Sequence, residues 1–247
     1  MRRAVLFVWL AGCGRFGVDD QAITRDAPID VGADATACTQ SGLITHLTFD
    51  GDAFDHVSLT IQTSAGGVSY VTTPRGRGLH LDGIDGIVQL AVPPVSDFTV
   101  AAWVQTTDVA PGTPGELWYV GTSIVDNEQC GFPQGGDWGL NLITGGHVVA
   151  VSAQSPIEIN DGAWHLVVRT RGMVLDDLKI YIDGALAISD SGGIPGTTHQ
   201  NQPWVGIGNN PCAYPNGRFF EGTLDELWIF DRVITAAERA ELAACPP

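Results

Sequence analysis

The sequence predicts an all-β protein, a sandwich or a barrel, with one short helix at its C-terminus. Three observations predict it. About a dozen short apolar or alternating runs follow Cys38, the pattern of strands with at least one buried face. Gly, Asp, Asn and Pro separate the runs, in a chain that carries 31 Gly and 14 Pro, and these residues favour turns. A single helix-start signal is present, the capping box Thr235-Ala236-Ala237-Glu238, in which the Thr hydroxyl takes the Glu amide and the carboxylate reaches back.

Composition narrows the function classes. The chain has 247 residues, with 12 Lys+Arg against 28 Asp+Glu and a formal net charge of −16. A nucleic-acid binder needs a basic stripe to displace counterions from phosphates, so that class is excluded. Hydrophobic residues are 44 % and charged residues 16 % of the chain, which argues against disorder as a whole. Lysine occurs once, at Lys179. Aspartate predominates among the acids, which suits turns and hard-cation sites.

From the N-terminus, the first element reads as an address. Met1-Arg2-Arg3 is followed by the apolar run 4–12 and then Cys13. The run is too short for a bilayer core of about 30 Å and has the charged and apolar regions of a secretory signal. Leu10-Ala11-Gly12-Cys13 resembles a bacterial lipobox, cleaved before a cysteine that is lipidated on sulfur. We therefore expect a signal peptide over 1–12 and an anchor on Cys13, and Gly14 after it implies the outer membrane. Residues 14–37 carry Asp19, Asp20, Asp26, Asp30 and Asp34 with no sustained period, so the lipidated Cys13 and a flexible acidic linker fill 13–37. The folded domain is expected over 38–247.

Within that domain the predicted strands are 43–49, 68–72, 78–81, 87–92, 98–106, 117–125, 138–144, 147–153, 164–170, 178–182, 205–207 and 219–230. The gaps 107–116, 126–137 and 191–204 are rich in Gly and Pro and read as surface loops, where binding residues concentrate. In the run from Phe98, the residues Phe98, Val100, Ala102 and Val104 share one parity and face the core. Thr99, Ala101, Trp103 and Gln105 share the other, more polar parity. Trp228 opposes Leu227 and Ile229, which predicts an exposed ring.

Several segments, in order, resemble a known family. They are Leu47-Thr48-Phe49-Asp50-Gly51, Leu79-His80-Leu81-Asp82-Gly83, Phe98 to Val104, Asp161-Gly162-Ala163-Trp164-His165-Leu166-Val167, Leu178 to Gly184, Gly206-Ile207-Gly208, and Phe220 to Phe230 running into 235–242. Together they are similar to the laminin-G-like jelly roll of the concanavalin A-like lectin/glucanase superfamily. The resemblance implies a two-sheet antiparallel jelly-roll sandwich in which the last long strand lies near the first. It implies no single activity, because binders and hydrolases share the fold.

Catalysis is not expected. Glucanases of the superfamily carry Glu-x-Asp-x-Glu on one strand, with retaining chemistry needing carboxyls about 5–5.5 Å apart. No such motif occurs, and the nearest carboxylate cluster, Asp225-Glu226, is expected to point to opposite faces. Neither a His-Glu-x-x-His zinc motif nor a Gly-x-Ser-x-Gly nucleophile elbow is present. His165 beside Trp164 matches a structural position of the fold.

A calcium site is the metal expectation. Members of the superfamily hold one ion with an aspartate on the last long strand and main-chain oxygens near the first. Asp225 matches that aspartate, Asp50 the early segment, and Gly83 offers a carbonyl. Calcium takes six to eight oxygens, so two aspartates with carbonyls and water suffice. The alternative is that Asp225 simply hydrogen-bonds turn amides.

For a glycan, the usual device is an aromatic ring stacked on a sugar, flanked by amide or carboxylate groups. Trp103 is the candidate platform, joined by Trp118, Trp138 and Asn141; the alternative is that Trp103 is a framework residue. The expected partner is a glycan, with an envelope or extracellular protein as the other reading, and the membrane is met only through the lipid.

Once Cys13 is set aside, four cysteines remain, and export favours their pairing. Four cysteines allow three connectivities. Neighbouring first and last strands, implied by the resemblance, favour Cys38 with Cys245, which leaves Cys130 with Cys212 in two Pro/Gly-rich loops.

Overall fold

The computed structural model describes residues 41–93, 95, 97–109, 122–126, 140–143, 146–149, 154–172, 177–190, 205–209 and 218–245. The expected lipidation site Cys13, the expected linker 13–37, and Cys38, Cys130, Cys212, Trp118 and Trp138 lie outside them.

Seventeen strands and one helix are described. The first group is β1 Leu43–Leu47, β2 Phe54–Asp55, β3 Thr60–Ile61, β4 Thr63–Ala65, β5 Val68–Thr73 and β6 Gly76–Asp82. Next come β7 Ile87–Leu90, β8 Phe98–Gln105, β9 Thr122–Asp126, β10 Leu140–Ile143, β11 His147–Val149 and β12 Gln154–Glu158. The last are β13 Trp164–Gly172, β14 Asp177–Ile182, β15 Ala185–Asp190, β16 Val205–Ile207, β17 Glu221–Phe230 and the helix α1 Ala236–Ala244.

They form two antiparallel sheets of a jelly-roll sandwich. One has ten strands, ordered β15-β14-β13-β8-β17-β1-β2-β3, with β6 also on β17 and β5 on β6. The other has seven, ordered β12-β11-β10-β9-β16-β7-β4. The long central strand β17 pairs with β8 on one side. On its other side it pairs first with β6, up to Leu224↔Leu79, and then with β1, from Leu227↔Leu47 onward. The last strand therefore lies beside the first, as the resemblance implies.

Alternation decides which residues meet between the sheets. Phe98, Val100, Ala102 and Val104 of β8 join Leu224, Leu227 and Ile229 of β17 and Val88, Leu90, Val205 and Ile207 of the second sheet in one core. All eleven are nearly or fully buried, and each large side chain buried this way contributes about 1.5–3 kcal/mol of transfer free energy.

The opposite face of the ten-stranded sheet carries a second apolar cluster under α1. Ala101, Leu166, Val168, Trp228, Phe230, Ile234, Leu242 and Cys245 form it, with Leu43, Trp103 and Tyr181 packed against it. Trp228 does oppose Leu227 and Ile229, but its exposure is 0 %. The expectation of an exposed ring fails because the C-terminal helix supplies Leu242 to this outer face. The helix begins at the expected capping box, with Thr235 Oγ1 accepting from the Glu238 amide at 3.3 Å and Glu238 accepting from the Thr235 amide at 2.7 Å. Arg232 pairs with Glu238. That guanidinium, followed by the Thr235 amide, holds the Glu238 carboxyl down at about 2.

Candidate functional site

The sequence departs from regular strand geometry at one central place. Between Asp225 and Leu227 the register of β17 against β8 shifts, so Asp225 faces Trp103 and Leu227 faces Ala102. Glu226 is the extra residue, at φ 58, a left-handed conformation that is uncommon outside glycine. A bulge of this kind re-aims side chains. Leu224 and Leu227 both enter the inter-sheet core, so Asp225 and Glu226 lie together on the outer side. The expectation of opposite faces assumed an unbroken period of two and is corrected by the bulge.

Both carboxylates are nearly inaccessible, at 1 % and 4 % exposure. Asp225 Oδ2 accepts the Thr73 hydroxyl, while Oδ1 is buried and has no hydrogen-bond partner. Burial is the main cause that pushes the Asp225 carboxyl up to about 6; the Thr73 hydroxyl opposes it, the Glu226 charge adds to it, Arg75 lowers it and Asp50 raises it. Glu226 Oε2 meets His46 Nε2 at 2.6 Å.

Arg75 sits in the turn between β5 and β6. Its guanidinium lies 5.0 Å from the Trp103 ring centroid, a cation–π contact, and donates to the Cys245 carbonyl. Arg75 Nε, Trp103 Nε1 and Asp225 Oδ1 are buried polar atoms without hydrogen-bond partners.

Of the expected calcium ligands, Asp50 and Asp225 are linked through charge alone. Asp50 is exposed, its Oδ1 accepts the Arg77 amide at 3.0 Å, and its charge acts on Asp225. Gly83 stands elsewhere. It lies beyond the end of β6 beside Glu221, where an added Cβ would come within 2.9 Å of the Glu221 Cβ. Asp225 is four residue steps along β17 from Glu221, about 13 Å of strand, so Gly83 cannot share an ion with Asp225. Among the described residues no three His, Cys, Asp or Glu side chains close on a metal ion. Asp225 Oδ1 is buried and bare, an oxygen donor of the kind a calcium ion takes.

The expected glycan platform is divided between the two sheets. Trp103 is on β8 of the ten-stranded sheet, half-buried against the α1 cluster and with Arg75 over its ring. Asn141 is on β10 of the seven-stranded sheet, at a register position opposite Val149 and Ser123. The two thus stand on different sheets, and Trp103 packs against the cluster under α1.

A polar row that sequence reading missed crosses the seven-stranded sheet instead. Thr63 of β4 pairs with Gln89 of β7, Gln89 with Gly206 of β16, and Gly206 with Asp126 of β9. Val88, Leu90, Val205 and Ile207 point into the core, so Gln89 and Gly206 turn outward. Thr63 is exposed, Gln89 half-buried and Gly206 buried. The signal was present in Val88-Gln89-Leu90 and Val205-Gly206-Ile207, each a polar or bare position between two core residues.

His165 is a structural clasp. Its Nδ1 meets Asp183 Oδ2 at 2.8 Å and its Nε2 meets Asp161 Oδ1 at 3.1 Å. Asp183 also accepts the Leu166 amide at 2.9 Å, tying the start of β13 to the β14–β15 turn.

Three comparisons bear on this architecture. The chain is 29 % identical over 197 residues to the rat (Rattus norvegicus) protein "Sushi, von Willebrand factor type A, EGF and pentraxin domain-containing protein 1", covering 70 % of this chain and 5 % of that protein. It thus spans only a small part of that relative's length. Domain 4 of AbnA, a GH43 extracellular arabinanase from Geobacillus stearothermophilus, solved in complex with arabinotriose, superposes with TM-score 0.57 at 18 % identity, over 81 % of this chain and 98 % of that one. A botulinum neurotoxin type C structure, whose cell entry depends on interaction with two ganglioside molecules, superposes with TM-score 0.56 at 15 % identity, over 81 % of this chain and 50 % of that one. At these identities the two structures share the fold. The Laminin_G_3 family model, described as the concanavalin A-like lectin/glucanases superfamily, matches residues 65–238, and with that match over most of its length the chain belongs to this superfamily.

Proposed function

We propose that this chain is a carbohydrate-binding module without catalytic activity, carried on the outer membrane by a lipid on Cys13. The observation that carries the binding role is the row Thr63–Gln89–Gly206–Asp126 across four adjacent strands of the seven-stranded sheet. Its Thr63 hydroxyl and Gln89 amide offer hydrogen bonds to sugar hydroxyls. Similar folds in an arabinanase domain with arabinotriose and in a ganglioside-dependent toxin support a sugar as the ligand class. Burial of Asp225 and Glu226 supports the non-catalytic reading, because a glycosidase carboxylate must touch the scissile bond. Calcium bound at Asp225 and Asp50 would brace the opposite sheet.

A glycan array probed with the purified chain tests the reading. Binding to at least one glycan, lost in Gln89→Ala, supports it. A glycan bound equally by Gln89→Ala places the site elsewhere. A silent array together with capture of an envelope protein turns the reading to adhesion. For the anchor, Cys13→Ser is expected to abolish fatty-acid labelling and leave unprocessed precursor; several acyl chains on one residue hold firmly where one does not.

A further inference from the structure

The cluster under α1 takes up only part of the outer face of the ten-stranded sheet. Two residues along the strands from its Leu166–Trp103 edge, register pairing sets five side chains in line. Trp164 of β13 pairs with Gln105 of β8, Gln105 with Thr223 of β17, Thr223 with His80 of β6, and His80 with Ser69 of β5. Leu79, Leu81, Val104 and Leu224 enter the inter-sheet core, Val68 and Tyr70 pack against it, and Leu166 lies in the α1 cluster. Alternation therefore turns all five outward. At the usual spacing of neighbouring strands the row is about 19 Å long. Ser69 is exposed, Trp164, Gln105 and His80 are half-buried, and Thr223 is 8 % exposed. His80 Nδ1 meets Thr223 Oγ1 at 3.3 Å, and Gln105 Nε2 donates to the Gly162 carbonyl at 2.8 Å. These bonds fix the row and leave His80 Nε2 and Gln105 Oε1 for a ligand.

We propose that this row is a second saccharide site, for a neutral oligosaccharide, with the Trp164 ring as its stacking platform. It takes its ligand class from the carbohydrate reading above and is independent of the Gln89 row on the other sheet. A sugar presents hydroxyls that donate and accept beside an apolar C–H face. An indole followed by amide, hydroxyl and imidazole groups answers both sides. A protein partner would instead need an apolar, densely packed centre, and the centre here is Thr223 between Gln105 and His80. Charge selects among sugars. Glu221 and Asp82, paired in register, continue the same face beyond Thr223 and His80. The guanidinium of Arg75 is committed to the Trp103 ring and the Cys245 carbonyl. An acidic saccharide would meet carboxylates in a chain of net charge −16, and like charges repel it. The groups stand on strands rather than on loops, so little order is lost on binding. A framework tryptophan alone would not require neutral polar groups at the four register positions beside it.

The full chain is titrated with xylotetraose, mannotetraose, cellotetraose and arabinotriose as neutral probes, and with trigalacturonate as an acidic one. Saturation-transfer NMR follows binding. At least one neutral probe is expected to bind, and trigalacturonate to bind at least about tenfold more weakly or not at all. Trp164→Ala is expected to weaken the neutral probe at least about tenfold, through loss of the aromatic face. His80→Ala is expected to weaken it about fivefold, the worth of one hydrogen bond. Should Trp164→Ala fail to fold, His80→Ala decides. Each titration is repeated in a Gln89→Ala background, which disables the other row. Neutral binding that persists there and falls with Trp164→Ala or His80→Ala supports the proposal. Binding lost in Gln89→Ala but undiminished in Trp164→Ala and His80→Ala overturns it, and leaves the seven-stranded sheet as the sugar-binding surface. Neutral probes that all fail to bind the wild type, or trigalacturonate bound as tightly as they are, overturn it as well.

Discussion

Asp225 and Glu226 are neighbours in sequence and share one face of the ten-stranded sheet. The shift that brings them together, with Asp225 opposite Trp103 and Leu227 opposite Ala102, also sets every residue beyond them. Leu227 and Ile229 enter the inter-sheet core, and Trp228 and Phe230 enter the cluster under α1. Without Glu226, Asp225 opposite Trp103 would be followed directly by Leu227 opposite Ala102, a regular ladder that keeps both sets on their faces. We expect the Glu226 deletion variant to keep a cooperative melting transition and a native-like near-ultraviolet circular dichroism spectrum. Loss of that spectrum would show that the bulge itself holds the strand in place.

His165 makes the clasp pH-dependent. Burial on its own lowers the imidazole pKa, but the hydrogen bonds from Asp183 and Asp161, reinforced by their charges, outweigh it and leave the pKa raised. A raised histidine stabilises the fold fully below its unfolded value of about 6.5, and the gain is lost as pH rises through the folded value. Asp161 is shifted the other way, lowered first by the Ala163 amide and then by His165; its contribution is lost toward acid. Melting temperatures are therefore expected to fall from pH 6 toward alkaline pH, and His165→Asn to flatten that limb. Equal slopes in both proteins would remove the clasp from the account.

The strands that were legible in the sequence are those whose residues face a core. The run 98–106 became β8 at Phe98–Gln105, and 205–207 is β16 without change. The missed strands β2, β3, β4, β12 and β15 are short or largely exposed, so no apolar period marks them. The helix start was legible because a capping box is local chemistry. The bulge was not, because Asp225-Glu226-Leu227 reads as an ordinary continuation of the strand. The candidate sites suffered most from this. Asp50 and Asp225 were found by resemblance, but Glu226 beside His46 depends on a backbone turn and a pairing 180 residues apart.

Calcium should act through Asp225. Burial first, and the Glu226 and Asp50 charges after it, hold this carboxyl up at about 6, against the Thr73 hydroxyl and Arg75. A carboxyl raised above its unfolded value of about 3.9 stabilises the fold when protonated, and that gain is lost as pH rises through about 6. In chelator, stability is therefore expected to decline between about pH 4 and 6, and less so in Asp225→Asn. At pH 7 calcium should raise the wild-type melting temperature, since an ion that binds only the folded state adds about 2.7 kcal/mol at a hundred times Kd. Asp225→Asn should not respond to calcium. A wild type indifferent to both calcium and chelator would rule the ion out.

The cysteine pairing rests on how the chain ends meet. Cys245 is disulfide-bonded and packs in the cluster that also touches Leu43 at the start of β1. Arg75 fixes its carbonyl. Ahead of β1, the Gly42 carbonyl accepts the Asp231 amide at 2.9 Å and the Ser41 carbonyl accepts Arg232 Nε at 2.7 Å. The five residues from Cys38 to Leu43 span at most about 18 Å when extended, a reach that favours Cys38 as the partner of Cys245. Cys130 and Cys212 are then left for each other. In the chain-entropy view each of these long loops adds about 4–5 kcal/mol as an upper bound. Because the first bond closes the domain at its ends, Cys38→Ser is expected to lower the melting temperature and to leave Cys245 reactive toward alkylation. Non-reducing peptide mapping of the wild type decides the pairing directly: a Cys38–Cys245 crosslink is expected, and a Cys38–Cys130 or Cys38–Cys212 crosslink would refute it.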